Sequence, residues 1–299
     1  MSAQPNPLPS PLAAAAELPF NAAANKPTTL RTLARLALYA AALAITLFFV
    51  VPIYLIAISA FSPQPAIFAY PKALIPQTLS ADTFLFFWNA SGVQSALVNS
   101  ILVGILTLIL SLLVGAPAGY AIARFLFRGR DSYKMLILTT RAFPIVILSI
   151  PLAVNYIQWN IYDTVWGVAF AHTAMALPTT ILVTSSIFIA VSRELEEAAQ
   201  TLGCNRAQAF IKVALPLALP GLAAAAIFTF VLSWNETFAA TILTQRNRTL
   251  PALVLSQIAD VGAPLPFRYA AGFFLIAPSL VYIFFMRRYL LGMWGQVVK

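Results

Sequence analysis

Apolar positions run along this chain in long blocks, with polar positions gathered between them. No Lys, Arg, Asp or Glu occurs between Leu36 and Pro71, nor between Thr83 and Ala123. A helix that crosses the hydrocarbon core of a bilayer needs about 20 apolar residues. The blocks predict six such helices, near residues 36–59, 95–123, 135–155, 164–189, 219–243 and 269–286. The third contains Arg141, Pro144 and Pro151, the fourth Pro178, and the fifth Glu236. Internal prolines are compatible with spans, because neighbouring helices re-satisfy the freed backbone groups. The fold class expected is all-α, an integral membrane protein with six transmembrane helices.

Residues 1–35 break the pattern. Pro5, Pro7, Pro9, Pro11 and Pro19 alternate with alanine runs, a composition that favours a disordered tail. A secretory signal places its basic residues before the apolar core at the very start. Here Lys26, Arg31 and Arg35 come late and directly precede a long apolar run, which reads as a retained anchor. The expected organisation is a cytoplasmic tail over 1–35 and a membrane domain over 36–299.

Composition agrees with a bilayer solvent. Hydrophobic residues make up 61% of the chain and charged residues 9%, against about a quarter charged in soluble domains. One cysteine, Cys204, and one histidine, His172, exclude an internal disulfide and leave too few soft ligands for a zinc or iron–sulfur site. The net charge of +9 would suggest nucleic acid in a soluble protein. Here the bases lie between spans and report topology instead. With the amino terminus inside, thirteen Lys and Arg fall on the cytoplasmic side and four (Lys72, Arg246, Arg248, Arg268) outside, with Arg141 in a span. That asymmetry places both termini in the cytoplasm. Residues 61–94, 156–163 and 244–268 then face out, the last reading as a proline-bearing loop.

The informative loop lies between the fourth and fifth spans, over residues 193–216. Ser192 is a good N-cap, and Glu194 sits in the first turn, where the helix dipole favours an anion. Leu195, Ala198, Ala199 and Leu202 repeat at helical spacing and form one apolar face. Gly203 supplies the stop. A second short helix begins at Asn205, with Gln208 placed for a capping box and Phe210 and Val213 as its stripe. Pro216 and Pro220 end it and launch the fifth span. Surface helices on anionic lipid are rich in Lys and Arg. Glu194, Glu196 and Glu197 point instead to a groove on a protein partner.

Glu197-Ala198-Ala199, then Gly203, then Val213 and Leu215-Pro216 resemble the EAA signature of ABC importer permeases. Asn99-Ser100, Ala118-Gly-Tyr-Ala-Ile-Ala-Arg124, Ser233-Trp-Asn-Glu236 and the terminal Val298-Lys299 are similar to the carbohydrate permeases of the maltose-permease class. The resemblance covers about residues 36–299. It departs from the family at Val213, where Ile is more usual, at Leu202, where sugar-type members often have Asp, and at Cys204, where Ala is usual.

The resemblance implies a type I ABC importer permease fold in a bacterial inner membrane. It further implies a complex with a second permease in a heterodimer, two ATPase subunits and an external solute-binding protein. Glu196, Glu197, Ala198, Ala199, Gly203, Val213, Leu215 and Pro216 would couple to the ATPase. Glu197 would meet a basic group there, and the two alanines would allow close approach. No cofactor is expected on this chain. ATP and Mg belong to the ATPase partners, since the chain has no G-x-x-x-x-G-K-[ST] loop. No nucleic-acid partner is expected.

Charges inside spans are costly and mark functional candidates. Trp234, Asn235 and Glu236 offer an aromatic face and hydrogen-bonding groups suited to a hydroxylated solute, or a closure of the outer gate. Asn155 and Trp159 mark the outer end of the third span as further pathway candidates. Arg141 is expected to snorkel and His172 to be a satisfied packing residue. The expected function is a non-enzymatic translocation subunit importing a neutral sugar, oligosaccharide or polyol. The alternatives are an ABC permease for a polyamine or amino acid, or an ion-coupled secondary transporter. Acids lining the pathway would favour a polyamine, and internal repeats with several midplane acids would favour ion coupling.

Overall fold

The computed structural model describes residues 28–295, apart from Lys72 and Gln77. Residues 1–27 of the expected tail and the terminal Val298-Lys299 lie outside the described residues. The described residues are helical with turns and contain no strand. The chain forms two compact units, one reaching Tyr54 and the other beginning at Leu55. The boundary falls within α1 (Thr28–Ala60), whose part in the first unit exposes large apolar side chains such as Leu36, Leu43 and Phe48. This helix begins inside the stretch assigned to the tail, which is a correction. The last tail proline is Pro27, and Leu30, Arg31, Leu33, Ala34 and Arg35 beyond it are helix formers.

In the second unit, α2 (Gln64–Ile67) and α3 (Asp82–Trp88) interrupt the segment after α1. Then follow α4 (Val93–Arg124), α5 (Arg130–Thr140), α6 (Ile145–Gln158) and α7 (Val165–Ala190). The loop helices α8 (Arg193–Thr201) and α9 (Arg206–Ala209) lead through a π-turn (Phe210–Ala214) into α10 (Leu215–Asn235). The chain ends through α11 (Phe238–Leu243), α12 (Leu250–Val261) and α13 (Leu265–Gly295). Five stretches are long and apolar enough to cross a membrane: Thr32–Ala60, Val93–Arg124, Val165–Ala190, Arg206–Asn235 and Leu265–Phe285. α5 and α6 supply a sixth if counted as one span bent by 83°.

The core is built from small side chains. α4 and α7 pack along most of their length, with Gly115 against Thr180 and Gly119 against Thr184 and Ser185, while Gly104 of α4 lies under the Phe230 ring of α10. Large residues on the same helices, such as Leu113, Val114, Trp166 and Ile189, stay exposed. That inversion of the soluble pattern is expected where lipid is the solvent and helices gain by close approach. A Cβ on Gly119 would overlap the Thr184 hydroxyl and stand 2.7 Å from the Ser185 amide nitrogen. The Thr184 hydroxyl donates across the contact to the Gly115 carbonyl at 2.9 Å. A second core packs Phe87, Phe267 and Phe274 with ring centroids about 5 Å apart, joining α3 to α13.

Four boundaries differ from the hydropathy reading. The third span is broken after Arg141, because Pro144 offers no amide donor and bars Phe143 from helical geometry. Arg141 is therefore an exposed C-cap of α5, at a break in the span. The fifth span is broken at Glu236, which is extended with ψ 126. The second loop helix does not stop at Pro216. The π-turn, with Leu215 N–H donating to the Phe210 carbonyl, widens the helix where the proline ring would otherwise crowd the carbonyl four residues back. The 244–268 segment is no simple loop, since Pro251 at the start of α12 has its φ preset for a first helical turn.

Candidate functional site

The 193–216 loop folds by local rules. The Ser192 hydroxyl accepts from the Glu194 N–H at 3.3 Å and starts α8. At its other end Gly203 has φ +95°, Gly203 N–H donates to the Gln200 carbonyl and Cys204 N–H to the Ala199 carbonyl, each at 3.0 Å. This pair of bonds is the Schellman closure, which needs a residue at positive φ. Asn205 Oδ1 accepts from Gln208 N–H at 2.8 Å while Gln208 Oε1 accepts from Asn205 N–H at 2.9 Å. The two helices and the glycine corner between them thus have their ends capped by residues of the loop itself.

What fixes α8 to the bundle is Glu196. It is 4% exposed, and its carboxylate takes two hydrogen bonds and an ion-pair contact from the end of α4. Tyr120 Oη donates at 2.6 Å and Arg124 Nε at 2.8 Å, while Arg124 Nη2 stands 2.6 Å away. Arg124 Nη2 also donates to the Val191 carbonyl at 2.8 Å. Arg193 returns the tie, donating to the Ala123 and Arg124 carbonyls at 3.2 and 3.3 Å. A cation on those last carbonyls also suits the negative end of the α4 dipole. Beside this clasp lies a 210 Å³ cleft walled by Phe125, Glu197, Gln200 and Arg206.

The remaining coupling candidates share the same end of the bundle and differ in exposure. Glu197, Ala198, Gly203 and Pro216 are exposed, and Ala199, Val213 and Leu215 are half-buried. The expected apolar stripe points outward, with Leu195 49% and Leu202 87% exposed. Glu196 occupies the inward face because Tyr120 and Arg124 stand opposite it. Sequence reasoning did not pair these residues. The available signal was Tyr120 and Arg124 at i and i+4 on one face at the end of a span, ahead of an acidic helix.

The pathway candidates do not gather in one place. Trp234 is 1% exposed and donates its indole N–H to the Leu275 carbonyl at 2.8 Å. Glu236 is buried against His172 of α7 at 3.1 Å. Asn235, Asn155 and Trp159 are exposed. The Asn99-Ser100 pair has a visible structural task. Ser100 Oγ accepts from Leu250 N–H at 2.7 Å and Asn99 Nδ2 donates to the Arg248 carbonyl at 3.2 Å, seating the start of α12 on α4. Nearby, Asp163 Oδ1 gathers the N–H groups of Gln245, Arg246 and Asn247 at 2.8–3.0 Å.

Apolar helices of spanning length, a core of small residues and a structured polar loop at the end of the bundle define a multi-pass helical membrane protein. Residues 111–291 match the family described as "Binding-protein-dependent transport system inner membrane component", and the chain belongs to that family of ABC importer permeases. It is 34% identical to the Trehalose transport system permease protein SugB of Mycobacterium tuberculosis (strain CDC 1551 / Oshkosh), over 76% of this chain and 84% of that one. It is 30% identical to the Diacetylchitobiose uptake system permease protein NgcG of Streptomyces coelicolor, over 80% of each. The fold is similar to a chain of a bacterial ABC transporter involved in the import of the acidic polysaccharide alginate. The TM-score is 0.69 at 21% identity, covering 89% of this chain and 98% of that one.

Proposed function

We propose that this chain is one of two membrane-spanning subunits of an ATP-driven importer for a neutral hydroxylated solute, a sugar or oligosaccharide. The observation that carries the reading is the two-sided α8 helix. One side is bolted to α4 through buried Glu196, and the other offers Glu197, Ala198 and exposed Leu195 and Leu202 to a partner. Two ATPase subunits, which hold ATP and Mg, dock on the α8 loops of this chain and of a second permease. An external solute-binding protein docks at the opposite end. The bundle sits in a bacterial inner membrane with both termini in the cytoplasm. Closure of the ATPase dimer pulls α8, and the clasp passes the displacement to α4 as a rigid element moving between two packed arrangements. The sugar assignment is supported by the named cargo of the relatives. A neutral cargo is supported by Glu236, whose carboxylate is already engaged within the fold.

The test is reconstitution of the purified complex with its ATPase, second permease and binding protein, assayed against a panel of neutral disaccharides, a uronate oligosaccharide and an amino acid. The expected result is that a neutral disaccharide stimulates ATP hydrolysis. In the same assay Gly203→Asp abolishes uptake while the chain still inserts in the membrane, because an aspartate strains the left-handed corner although the space around it is open. Isolation of the chain as a transporter active without an ATPase would overturn the reading. Stimulation by the amino acid alone would overturn the sugar assignment.

A further inference from the structure

Coupling to the motor does not use the buried polar network around His172. His172 of α7 is wholly buried. Its Nδ1 lies 2.9 Å from Ser233 Oγ of α10, which donates on to Thr107 Oγ1 of α4 at 3.3 Å. Its Nε2 lies 3.1 Å from Glu236 Oε2. Glu236 stands at the break between α10 and α11, and its two carboxylate oxygens accept from the Ala239 and Ala240 N–H groups at 2.9 and 3.0 Å. Those amides belong to the first turn of α11, where no intrahelical acceptor exists. Glu236 therefore caps α11 and is itself held from α7.

The consequence falls on Asn235. Its neighbour Trp234 is pinned inward by the Leu275 carbonyl and its neighbour Glu236 by His172. Asn235 is left facing out of the fold at the point where the span is broken. Its Nδ2 donates to the Val231 carbonyl at 2.8 Å, and among the described residues no side-chain bond engages its Oδ1. An amide so presented accepts from a hydroxyl and offers its remaining N–H in return, which suits a sugar.

We propose that His172 and Glu236 are positioning residues for solute recognition: their bond fixes the break in the fifth span so that Asn235 meets the hydroxyl groups of the passing solute. The proposal rests on the importer reading above. Neither residue touches the solute. They act by tying the break itself to α7, while Trp234 on one side and the buried Ala239, Ala240 and Leu243 on the other hold the flanking segments.

The test uses the assembled complex carrying Cys204→Ser, which removes the sole cysteine, together with Asn235→Cys as a reporter. Labelling by a membrane-impermeant maleimide reads where position 235 stands. His172→Val breaks the bond and leaves the α11 cap intact; it is expected to change the labelling rate about tenfold, as loss of one hydrogen bond to a charged group permits. In chains retaining Asn235, His172→Val is expected to abolish stimulation by the panel disaccharide that is most effective on the unaltered complex. His172→Gln, which still donates to Glu236, is expected to keep both readouts within about twofold. Unchanged labelling in His172→Val overturns the proposal. If that variant does not assemble, His172→Phe, which keeps a ring but offers no hydrogen bond, replaces it with the same expectations, and failure of both to assemble assigns His172 to folding and overturns the proposal. Absence of any disaccharide response in the unaltered complex would instead sink the importer reading, and the proposal with it.

Discussion

Two adjacent glutamates of α8 have opposite fates. Glu196 is enclosed by Tyr120 and Arg124, and Glu197, one position on, is exposed. Glu196→Ala leaves the Arg124 guanidinium buried without its counter-ion, and breaking such a pair costs about 3–5 kcal/mol. A clear fall in the thermal midpoint of the purified complex is expected, with ATP hydrolysis no longer tied to uptake. Glu197→Ala is expected to leave the midpoint unchanged and to weaken retention of the ATPase during purification. A midpoint that moves for Glu197 and not for Glu196 would reverse the assignment of the two. Both glutamates were visible in the sequence as an acidic helix, and its caps at Ser192 and Gly203 and the start of the next helix at Asn205 were legible because capping is decided within a few residues. The clasp was not, because Arg124 and Glu196 are 72 positions apart. Nothing in a local pattern says which of two neighbouring acids turns inward.

Among the elements, α4 and α7 depend on the absence of side chains. Gly115 and Gly119 form a small-xxx-small surface, and the Thr184 hydroxyl crosses to it. Gly119→Val puts a Cβ onto the Thr184 hydroxyl and 2.7 Å from the Ser185 amide nitrogen, with two methyl groups still to be placed. Overpacking of that kind costs about 1–3 kcal/mol or more, expected as a lowered thermal midpoint in detergent and poor recovery of the complex. The same change at Gly129, where nothing lies within 4 Å, is a useful contrast, since its strain is confined to a φ of +87°. Among the described residues hydropathy located the five helices of spanning length and the bent α5–α6 pair, because apolar length is what a bilayer demands of a helix. It missed the breaks after Arg141 and at Glu236 and the continuity through Pro216. Each of those depends on where freed backbone groups find partners, and apolarity carries no record of that.

For the whole molecule, the bias of basic residues predicts that the α8 end is cytoplasmic and the end carrying Asp163 and Arg246 is external. Single cysteines placed at Gly203 and at Arg246, each in a Cys204→Ser background, are expected to react differently with an impermeant maleimide in intact cells: the second labels, the first only after lysis. Labelling of the Gly203 position in unbroken cells would invert the topology and remove the ATPase from its dock.

α4 is held at both extremities, by Ser100 and Asn99 on the α12 segment and by Tyr120 and Arg124 on α8. Its 32 residues cover about 48 Å at 1.5 Å per residue. A strut anchored so has no spare length. Adding one residue at its middle would turn one set of anchors about 100° away from the other. Chimaeric permeases should therefore exchange α4 only at unaltered length and together with α7, its packing partner, and not as a free-standing cassette.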